Sequence, residues 1–302
     1  MEYLTVIITN KCNLNCSYCL RDMNLKDLDL DLFEKILKQA SEEGCKTIFF
    51  SGGECFLHSD FFKMVELVVK YGLRFGIMSN GFDYMKYEPV LKYKDNFERI
   101  TFSLDSASSE KHDRFRGVGS FDKVMDAIEF FKSKGIRVHT QICLRKDNKD
   151  EIENYFKLNK ELGVDMISFM SVIPTGKADE VCLSDVEKME CVNEIGKLRG
   201  VYDIRANVLS SLFASEGVEF CSALNLCDMA VNPNGEIKFC CDVMGDGGII
   251  GDLKEDSFSE VFENGKKIKG DMLKKRLGCI LSEKRPEGFS SCVFCNKYFE
   301  ER

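Results

Sequence analysis

The sequence YLTVIITNKCNLNCSYC (residues 3–19) joins a short apolar run to a loop that carries three cysteines. Residues 3–9 are rich in β-branched and apolar side chains, a composition that is typical of a buried strand. Cys12, Cys16 and Cys19 follow at once with the spacing C-x3-C-x2-C. Three thiolates from one loop can hold three irons of a cubane iron–sulfur cluster and leave the fourth iron open to an outside ligand.

Two other interpretations of this triplet are a zinc site and three unrelated thiols. A structural zinc ion needs four ligands, and no histidine lies nearby in the sequence to supply the fourth. The run of a bacterial ferredoxin differs too, because its first gaps are two residues long and a three-residue gap and a proline come later. The position of the triplet directly after the first strand therefore favours the cluster.

Composition narrows the class of protein. The chain has 302 residues, of which 44% are hydrophobic and 30% charged, as in a soluble globular protein. No apolar run reaches the roughly 18 residues of a membrane span, and no basic segment of a signal peptide opens the chain, so we expect a cytoplasmic protein without a membrane partner. The net charge of −8 argues against a nucleic-acid partner. The 15 cysteines are an odd number without an export signal, which favours metal-bound thiolates over disulfides.

Strand-like and helix-like segments alternate along the first two thirds of the chain. The strands are predicted at residues 3–9, 47–50, 74–78, 99–104, 138–144 and 165–170. This alternation predicts an α/β fold with a parallel sheet and right-handed crossovers, and six units suit a partial (β/α)6 barrel. We expect this barrel to cover residues 1–205 and a smaller domain to cover residues 206–302. In such a barrel the chemistry lies at the C-terminal ends of the strands.

The triplet and the strand ends together resemble the radical S-adenosylmethionine (radical SAM) superfamily. Ser51-Gly52-Gly53-Glu54, after the second strand, is similar to the GGE motif of that family, which contacts the amino group of the methionine. Two glycines allow a close approach of the backbone, and a carboxylate suits an ammonium partner. The proline that usually follows the motif is Cys55 in this chain.

Later strand ends extend the resemblance. Ser79-Asn80-Gly81 stands where the family often has Thr-Asn-Gly, and Ser103-Leu104-Asp105-Ser106 ends the fourth strand. In relatives, this serine and a later arginine approach the methionine carboxylate. The cofactor-binding residues that the resemblance implies are Gly52, Gly53, Glu54, Ser79, Asn80, Ser103, Asp105, Arg116, Gln141 and Asn148.

The resemblance also implies a reaction. SAM binds the open iron, one electron cleaves it to methionine and a 5′-deoxyadenosyl radical, and that radical abstracts a hydrogen atom from the substrate. The cofactors carry this chemistry and the protein positions them. A flavodoxin- or ferredoxin-type protein is the implied electron donor.

A second group of cysteines lies in the tail. Its spacing is similar to that of the Twitch domain, the shorter relative of the SPASM domain, which holds an auxiliary [4Fe-4S] cluster. The ligands that this resemblance implies are Cys221, Cys240, Cys292 and Cys295. Cys227 is an alternative to Cys221, and a zinc ribbon is an alternative to the cluster. Because no cysteine follows Cys295, we expect one auxiliary cluster, beside a hairpin at residues 231–240 and a short helix at residues 257–268.

Peptide modification, as a crosslink or an epimerisation, is the function that we expect for a member of this group. No segment before the first strand would form a leader-binding domain, which favours a separate recognition partner or a small substrate. One alternative is therefore a dehydrogenase or epimerase of an aminocyclitol or sugar-like molecule. Another is a plain electron-transfer iron–sulfur protein, although an electron carrier has no use for an open iron.

The other cysteines have two predicted roles. Cys227 or Cys241, whichever is not a ligand, is a candidate hydrogen donor in an epimerisation, because an S–H bond is weaker than a typical C–H bond. Four further thiols are expected to be small buried apolar groups. They are Cys45, Cys143, Cys182 and Cys191.

Overall fold

The computed structural model describes residues 2–19, 21, 26–174, 178–212, 229–240, 248–281 and 291–300. Their strands are β1 (Tyr3–Thr9), β2 (Thr47–Gly52), β3 (Arg74–Ser79), β4 (Phe97–Ser103), β5 (Val138–Leu144), β6 (Met166–Ser171), β7 (Ala206–Val208), β8 (Ala230–Val231), β9 (Glu236–Lys238) and β10 (Ile249–Asp252). Their α-helices are α1 (Leu30–Glu42), α2 (Phe61–Lys70), α3 (Ser109–Arg116), α4 (Ser120–Ser133), α5 (Ile152–Glu161), α6 (Asp185–Tyr202), α7 (Phe258–Leu281) and α8 (Ser291–Glu300).

All of these strands belong to one sheet, in the order β10-β9-β8-β1-β2-β3-β4-β5-β6-β7. From β1 to β7 each strand pairs in parallel with the next one along the chain. The predicted α/β fold with a partial barrel is confirmed, with β7 as an additional edge strand. The C-terminal ends of β1 to β6 consequently meet on one side of the sheet.

The core explains why β1 and α1 form where the sequence predicts them. Leu4, Val6 and Ile8 alternate along β1 and are fully buried, as the period of a strand requires. On α1, the buried side chains recur at helical spacing and pack against the sheet. They are Phe33, Ile36, Leu37 and Ala40.

The C-terminal part extends the sheet of the barrel. β8 and β9 form the predicted hairpin, and β8 also pairs in parallel with β1, where Val231 lies opposite Val6. α7 is longer than the predicted helix at residues 257–268, and α8, which carries Cys292 and Cys295, was not predicted. The division at residue 205 stays a prediction.

α3 is a further element that periodicity does not reveal. It is a short helix with a single buried side chain, His112, so it lacks the apolar stripe by which helices are recognised. None of the helices in the described ranges is both long enough and apolar enough to cross a membrane.

Candidate active site

A cavity of about 260 Å³ opens at the C-terminal ends of the strands. The three cysteines of the N-terminal triplet line it together with Tyr18, Arg116 and the strand ends from β2 to β6. The lining residues are Cys12, Cys16, Tyr18, Cys19, Ser51, Gly52, Gly53, Met78, Ser79, Asn80, Ser103, Arg116, Gln141, Cys143, Met170, Ser171, Val172 and Ile173.

Two glycines bring the end of β2 against the start of the cysteine loop. A Cβ atom on Gly52 would lie 2.2 Å from the Thr9 carbonyl oxygen, and one on Gly53 would lie 2.1 Å from that of Lys11. Gly52 also has a φ of +139°, which favours glycine. The Gly53 N–H donates to the Thr9 carbonyl at 2.7 Å. The close approach that the sequence predicts is therefore made to the backbone just before Cys12.

Glu54 lies behind the cavity wall and is fully buried. One carboxylate oxygen accepts hydrogen bonds from the Ser79 hydroxyl at 2.7 Å and from the Tyr87 hydroxyl, and the other accepts the backbone N–H of Asn80 at 2.9 Å. Burial raises the pKa of Glu54 to about 6 although these bonds lower it. The side chain thus holds the end of β3 in place.

The triplet supplies thiols of suitable number and placement for a cluster. Burial raises the pKa of Cys12 and Cys16, so both thiols are protonated when no metal is bound. Binding of a metal then displaces these protons. Among the described residues, no three His, Cys, Asp or Glu side chains are close enough together to hold a single metal ion. In a cubane cluster each thiolate binds a different iron. Three thiols around one cavity fit that donor set.

A buried carboxylate connects the cysteine loop to the opposite wall. Asp105 is fully buried, and its Oδ2 accepts the Arg116 Nε–H at 2.6 Å and the hydroxyl of Tyr18. The Arg116 Nη2 donates to the Tyr18 hydroxyl at 2.8 Å. Tyr18 stands between Cys16 and Cys19, so one carboxylate orients both the loop and the arginine that faces the cavity.

The charge of this carboxylate is set by its surroundings. Burial would raise the pKa of Asp105, but the cations Arg116 and Arg145 outweigh it, and the pKa falls to about 2. Its Oδ1 accepts the backbone N–H of Cys143 at 3.0 Å. The Asn148 amide donates to the Asp105 carbonyl at 2.7 Å. Asp105 therefore remains a carboxylate and joins β4, β5 and α3.

The structure divides the predicted cofactor-binding residues into two groups. Seven line the cavity, and three lie behind its wall. Those at the surface of the cavity are Gly52, Gly53, Ser79, Asn80, Ser103, Arg116 and Gln141. Those behind it are Glu54, Asp105 and Asn148, which hold neighbouring residues in position.

Sequence reasoning missed part of the lining. Cys143, interpreted as a small buried group, is half-buried and lines the cavity. It lies two residues after Gln141 on β5, and this spacing places both on one face of the strand. Tyr18 was signalled only by its place in the triplet. The end of β6 contributes Met170 and Ser171, and Val172 and Ile173 follow the strand; none of the four carried a functional signal in the sequence.

The structure describes three of the four cysteines that are predicted to bind the auxiliary cluster. Cys292 and Cys295 are buried on α8, and their spacing of three residues places them on one face. Cys240 follows β9, and a ring contact of 5.6 Å between Phe239 and Phe299 brings the end of β9 against α8.

The other cysteines predicted for this site lie outside the described residues. They are Cys221, Cys227 and Cys241. The auxiliary cluster, its fourth ligand and the hydrogen donor stay predictions.

Comparison with known proteins gives one family. The family model described as the Radical SAM superfamily matches residues 6–178, more than half of the chain. An AdoMet-dependent heme synthase of Oleidesulfovibrio alaskensis is 28% identical over 179 residues, which cover 58% of this chain and 46% of that protein. The antilisterial bacteriocin subtilosin biosynthesis protein AlbA of Bacillus subtilis is 28% identical over 185 residues, 59% of this chain and 41% of that protein. The chain spans about half the length of the curated relatives it matches.

A solved structure shows the same fold. SuiB of Streptococcus suis, in its crystal structure bound to the precursor peptide SuiA, superposes with a TM-score of 0.71 at 16% identity. The match covers 86% of this chain and 64% of SuiB. The likeness therefore extends beyond the barrel strands.

Proposed function

The chain belongs to the radical SAM superfamily, and we propose that it abstracts a hydrogen atom from a peptide, with a [4Fe-4S] cluster and SAM bound in the cavity at the strand ends. One observation carries this proposal. Three cysteines, the Gly-Gly end of β2 and Arg116, which pairs with the buried Asp105, all line the same cavity. Neither a zinc site nor an electron carrier needs such a wall opposite its thiols.

When bound, the cluster and SAM supply one electron and the 5′-deoxyadenosyl radical. Cys12, Cys16 and Cys19 would hold the cluster. Arg116 suits the methionine carboxylate, because its guanidinium is charged and its direction is fixed by Asp105. Backbone groups of Gly52 and Gly53 reach the cavity unobstructed by side chains, as a polar ligand requires.

The apolar end of the cavity is the side that we assign to the substrate. Met170 at the end of β6 lies there, with Val172 and Ile173, which follow the strand. The Gln141 side chain lies against the Met170 sulfur, which leaves the polar wall and the apolar wall in contact. A side chain of a peptide, apolar at its tip and held by polar groups at its backbone, suits such a surface.

Relatives support a peptide and also suggest a rival. AlbA is named for the biosynthesis of a bacteriocin, and SuiB is solved with a precursor peptide. The heme synthase favours a small molecule instead. We assign the auxiliary cluster to Cys240, Cys292 and Cys295, with Cys221 or Cys227 as the fourth ligand.

The product depends on whether the substrate radical is oxidised or receives a hydrogen atom. If bound, the auxiliary cluster would accept one electron from the substrate radical, a proton would leave to water, and the product, such as a crosslink, would be two hydrogens lighter. Transfer of a hydrogen atom from Cys227 or Cys241 would give an epimer of unchanged mass and a thiyl radical, which one electron from the external donor and one proton would return to the thiol. Turnover in D₂O distinguishes the two, since only the epimer carries one deuterium at carbon.

The proposal is tested with the anaerobically reconstituted protein, a chemical reductant and SAM. We expect 5′-deoxyadenosine, and we expect its yield to rise with peptides encoded next to the gene, whose mass or deuterium content then changes. Stimulation by a tetrapyrrole or an aminocyclitol, with no effect of any peptide, would replace the peptide with a small substrate. A cluster-loaded protein that forms no 5′-deoxyadenosine would overturn the proposal.

A further inference from the structure

Asn80 follows β3 at the edge of the cavity and is 7% exposed. Its side-chain nitrogen Nδ2 lies 3.6 Å from the Cys12 sulfur and 2.8 Å from the Asn13 side-chain oxygen. The distance to sulfur is that of an N–H···S hydrogen bond, which is longer than a bond to oxygen because sulfur is larger.

The direction of the Asn80 amide follows from its other contact. Its oxygen Oδ1 accepts the backbone N–H of Phe82 at 2.9 Å. A backbone N–H can only donate, so the group that it meets is the oxygen, and the nitrogen must face Cys12. The backbone N–H of Asn80 is held in turn by Glu54 at 2.9 Å. Buried hydrogen bonds thus fix the donor in place.

Cys12 differs in this respect from the other two cysteines. It also accepts the backbone N–H of Leu14 at 3.5 Å. Within the ranges that the structure describes, no N–H group donates to the sulfur of Cys16 or Cys19. One of the three iron-binding sulfurs is thereby distinguished by a side chain from another strand.

We propose that Asn80 is a positioning residue that raises the reduction potential of the cluster by donating a hydrogen bond to the Cys12 thiolate. The inference rests on the proposed function, because it presumes a cluster on the triplet. Reduction adds one negative charge, and the thiolates share it. A donor aimed at one of them stabilises the reduced form more than the oxidised form.

Two substitutions remove the donor and keep the turn. In Asn80→Ser and Asn80→Asp, a side-chain oxygen can still accept the Phe82 N–H, but no amide reaches Cys12. For Asn80→Ser we expect the equilibrium constant for one-electron reduction to fall about tenfold, which is about 59 mV. Asn80→Asp should lower it further, because the new carboxylate repels the added electron.

The potential is measured by an EPR-monitored redox titration of the reconstituted full chain. The signal to follow is the one that the Cys12/Cys16/Cys19 triple alanine variant lacks. Asn96→Ser is the matched control, since it makes the same replacement of an amide by a hydroxyl, but the Asn96 amide donates to the Leu73 carbonyl, away from the cavity. Its potential should equal that of the wild type.

An unchanged or raised potential in Asn80→Ser, with the cluster bound, overturns the inference; a rise would mean that water entering beside Cys12 outweighs the lost bond. If the serine variant loads no cluster, Asn80→Thr decides in its place, because it is also neutral, keeps a side-chain oxygen for the Phe82 N–H and lacks the amide. If the wild type cleaves SAM but the Asn80 substitutions leave the potential of the cluster unchanged, only this inference is refuted. A potential that depends on Asn80, in a protein that forms no 5′-deoxyadenosine, refutes the proposed function alone.

Discussion

The two cysteine regions of the chain are built in opposite ways. Cys12, Cys16 and Cys19 come from one loop of eight residues, and neighbouring strand ends hold that loop. In the tail, the cysteines that we assign to the auxiliary cluster come from distant segments, because Cys240 follows β9 and more than fifty residues separate it from Cys292 and Cys295 on α8. A local site can be recognised from spacing, whereas a site assembled from distant elements depends on how those elements pack.

This difference predicts different dependence on the rest of the protein. The first region is supported by buried polar contacts, above all from Glu54 and Asp105. The described part of the second rests on apolar packing, such as the contact between Phe239 and Phe299. Substitutions can therefore separate the two regions.

The largest effect is expected from the triplet itself. Replacing Cys12, Cys16 and Cys19 together with alanine should abolish 5′-deoxyadenosine formation and remove about four of about eight irons. Iron content and chromatography of the SAM products measure the two effects. Cys45→Ala, which removes a buried thiol between α1 and β2, is the control and should retain both. Residual SAM cleavage in the triple variant would contradict the assignment of the first region.

The second region should behave as a separate unit. Cys292→Ala with Cys295→Ala is expected to lose the other irons, about four, and the modification of substrate, while SAM cleavage continues above background. The reason is that the first cluster is held by different ligands. Iron analysis and mass spectrometry of the substrate measure the outcome. Cys191→Ala on α6 is the control.

Single substitutions distinguish between Cys221 and Cys227 as the fourth ligand of the auxiliary cluster. Loss of the auxiliary cluster in Cys221→Ala, with Cys227→Ala intact, would support the family spacing. The reverse result would make Cys227 the ligand and leave Cys221 spare. If the double variant on α8 kept all of its iron, the second site would lie elsewhere.

Asp105 tests how strongly the first region depends on its support. Asp105→Asn keeps the shape of the side chain but leaves Arg116 buried without its anion, so the free energy of unfolding should fall by about 3–5 kcal/mol. Because Arg116 loses its fixed direction, the KM for SAM should rise about tenfold, which corresponds to about 1.4 kcal/mol. Chemical denaturation and steady-state kinetics measure the two effects.

Tyr18→Phe is the matched comparison for that substitution. It removes one hydroxyl from the same network and keeps the charges, so a loss of about 1 kcal/mol in the free energy of unfolding is expected. Equal stability of Asp105→Asn and the wild type would show that the network does not hold the loop.

The sequence predicted what local patterns determine. Residues 3–19, the strand alternation and the Gly-Gly turn follow from spacing and residue type. The destination of the Glu54 side chain does not, because its partner Tyr87 lies on a segment that the sequence gives no reason to place there. α8 was missed since a spacing of three residues between cysteines suits a helix and a loop equally. Packing decides both.

A pH-dependent effect concerns the acid sensitivity of the Asp105 network in the chain without metal. His112 is fully buried on α3, and its Nδ1 accepts the backbone N–H of Asp105 at 3.1 Å, which requires the neutral ring. Burial, and then the charge of Arg116, lower the pKa of His112 from 6.5 to about 4. As the pH falls through 6.5, His112 is protonated in the unfolded chain, whereas in the folded chain it is protonated only near pH 4. Stability present above pH 6.5 is therefore lost on acidification, by about 2 kcal/mol between pH 7 and pH 5.

His112→Gln isolates this contribution, because an amide oxygen can accept the same N–H without titrating. Urea unfolding at pH 7 and pH 5, under anaerobic conditions, should show a smaller loss of stability in the variant than in the wild type. His139, whose pKa burial also lowers to about 4, acts in the same direction in both proteins and cancels. Glu54 acts in the opposite direction, because its raised pKa of about 6 increases the stability of the folded chain on acidification. Glu54→Gln should therefore make the loss of stability steeper. Parallel losses in wild type and His112→Gln would mean that the ring is charged in the folded chain and that the Asp105 network tolerates it.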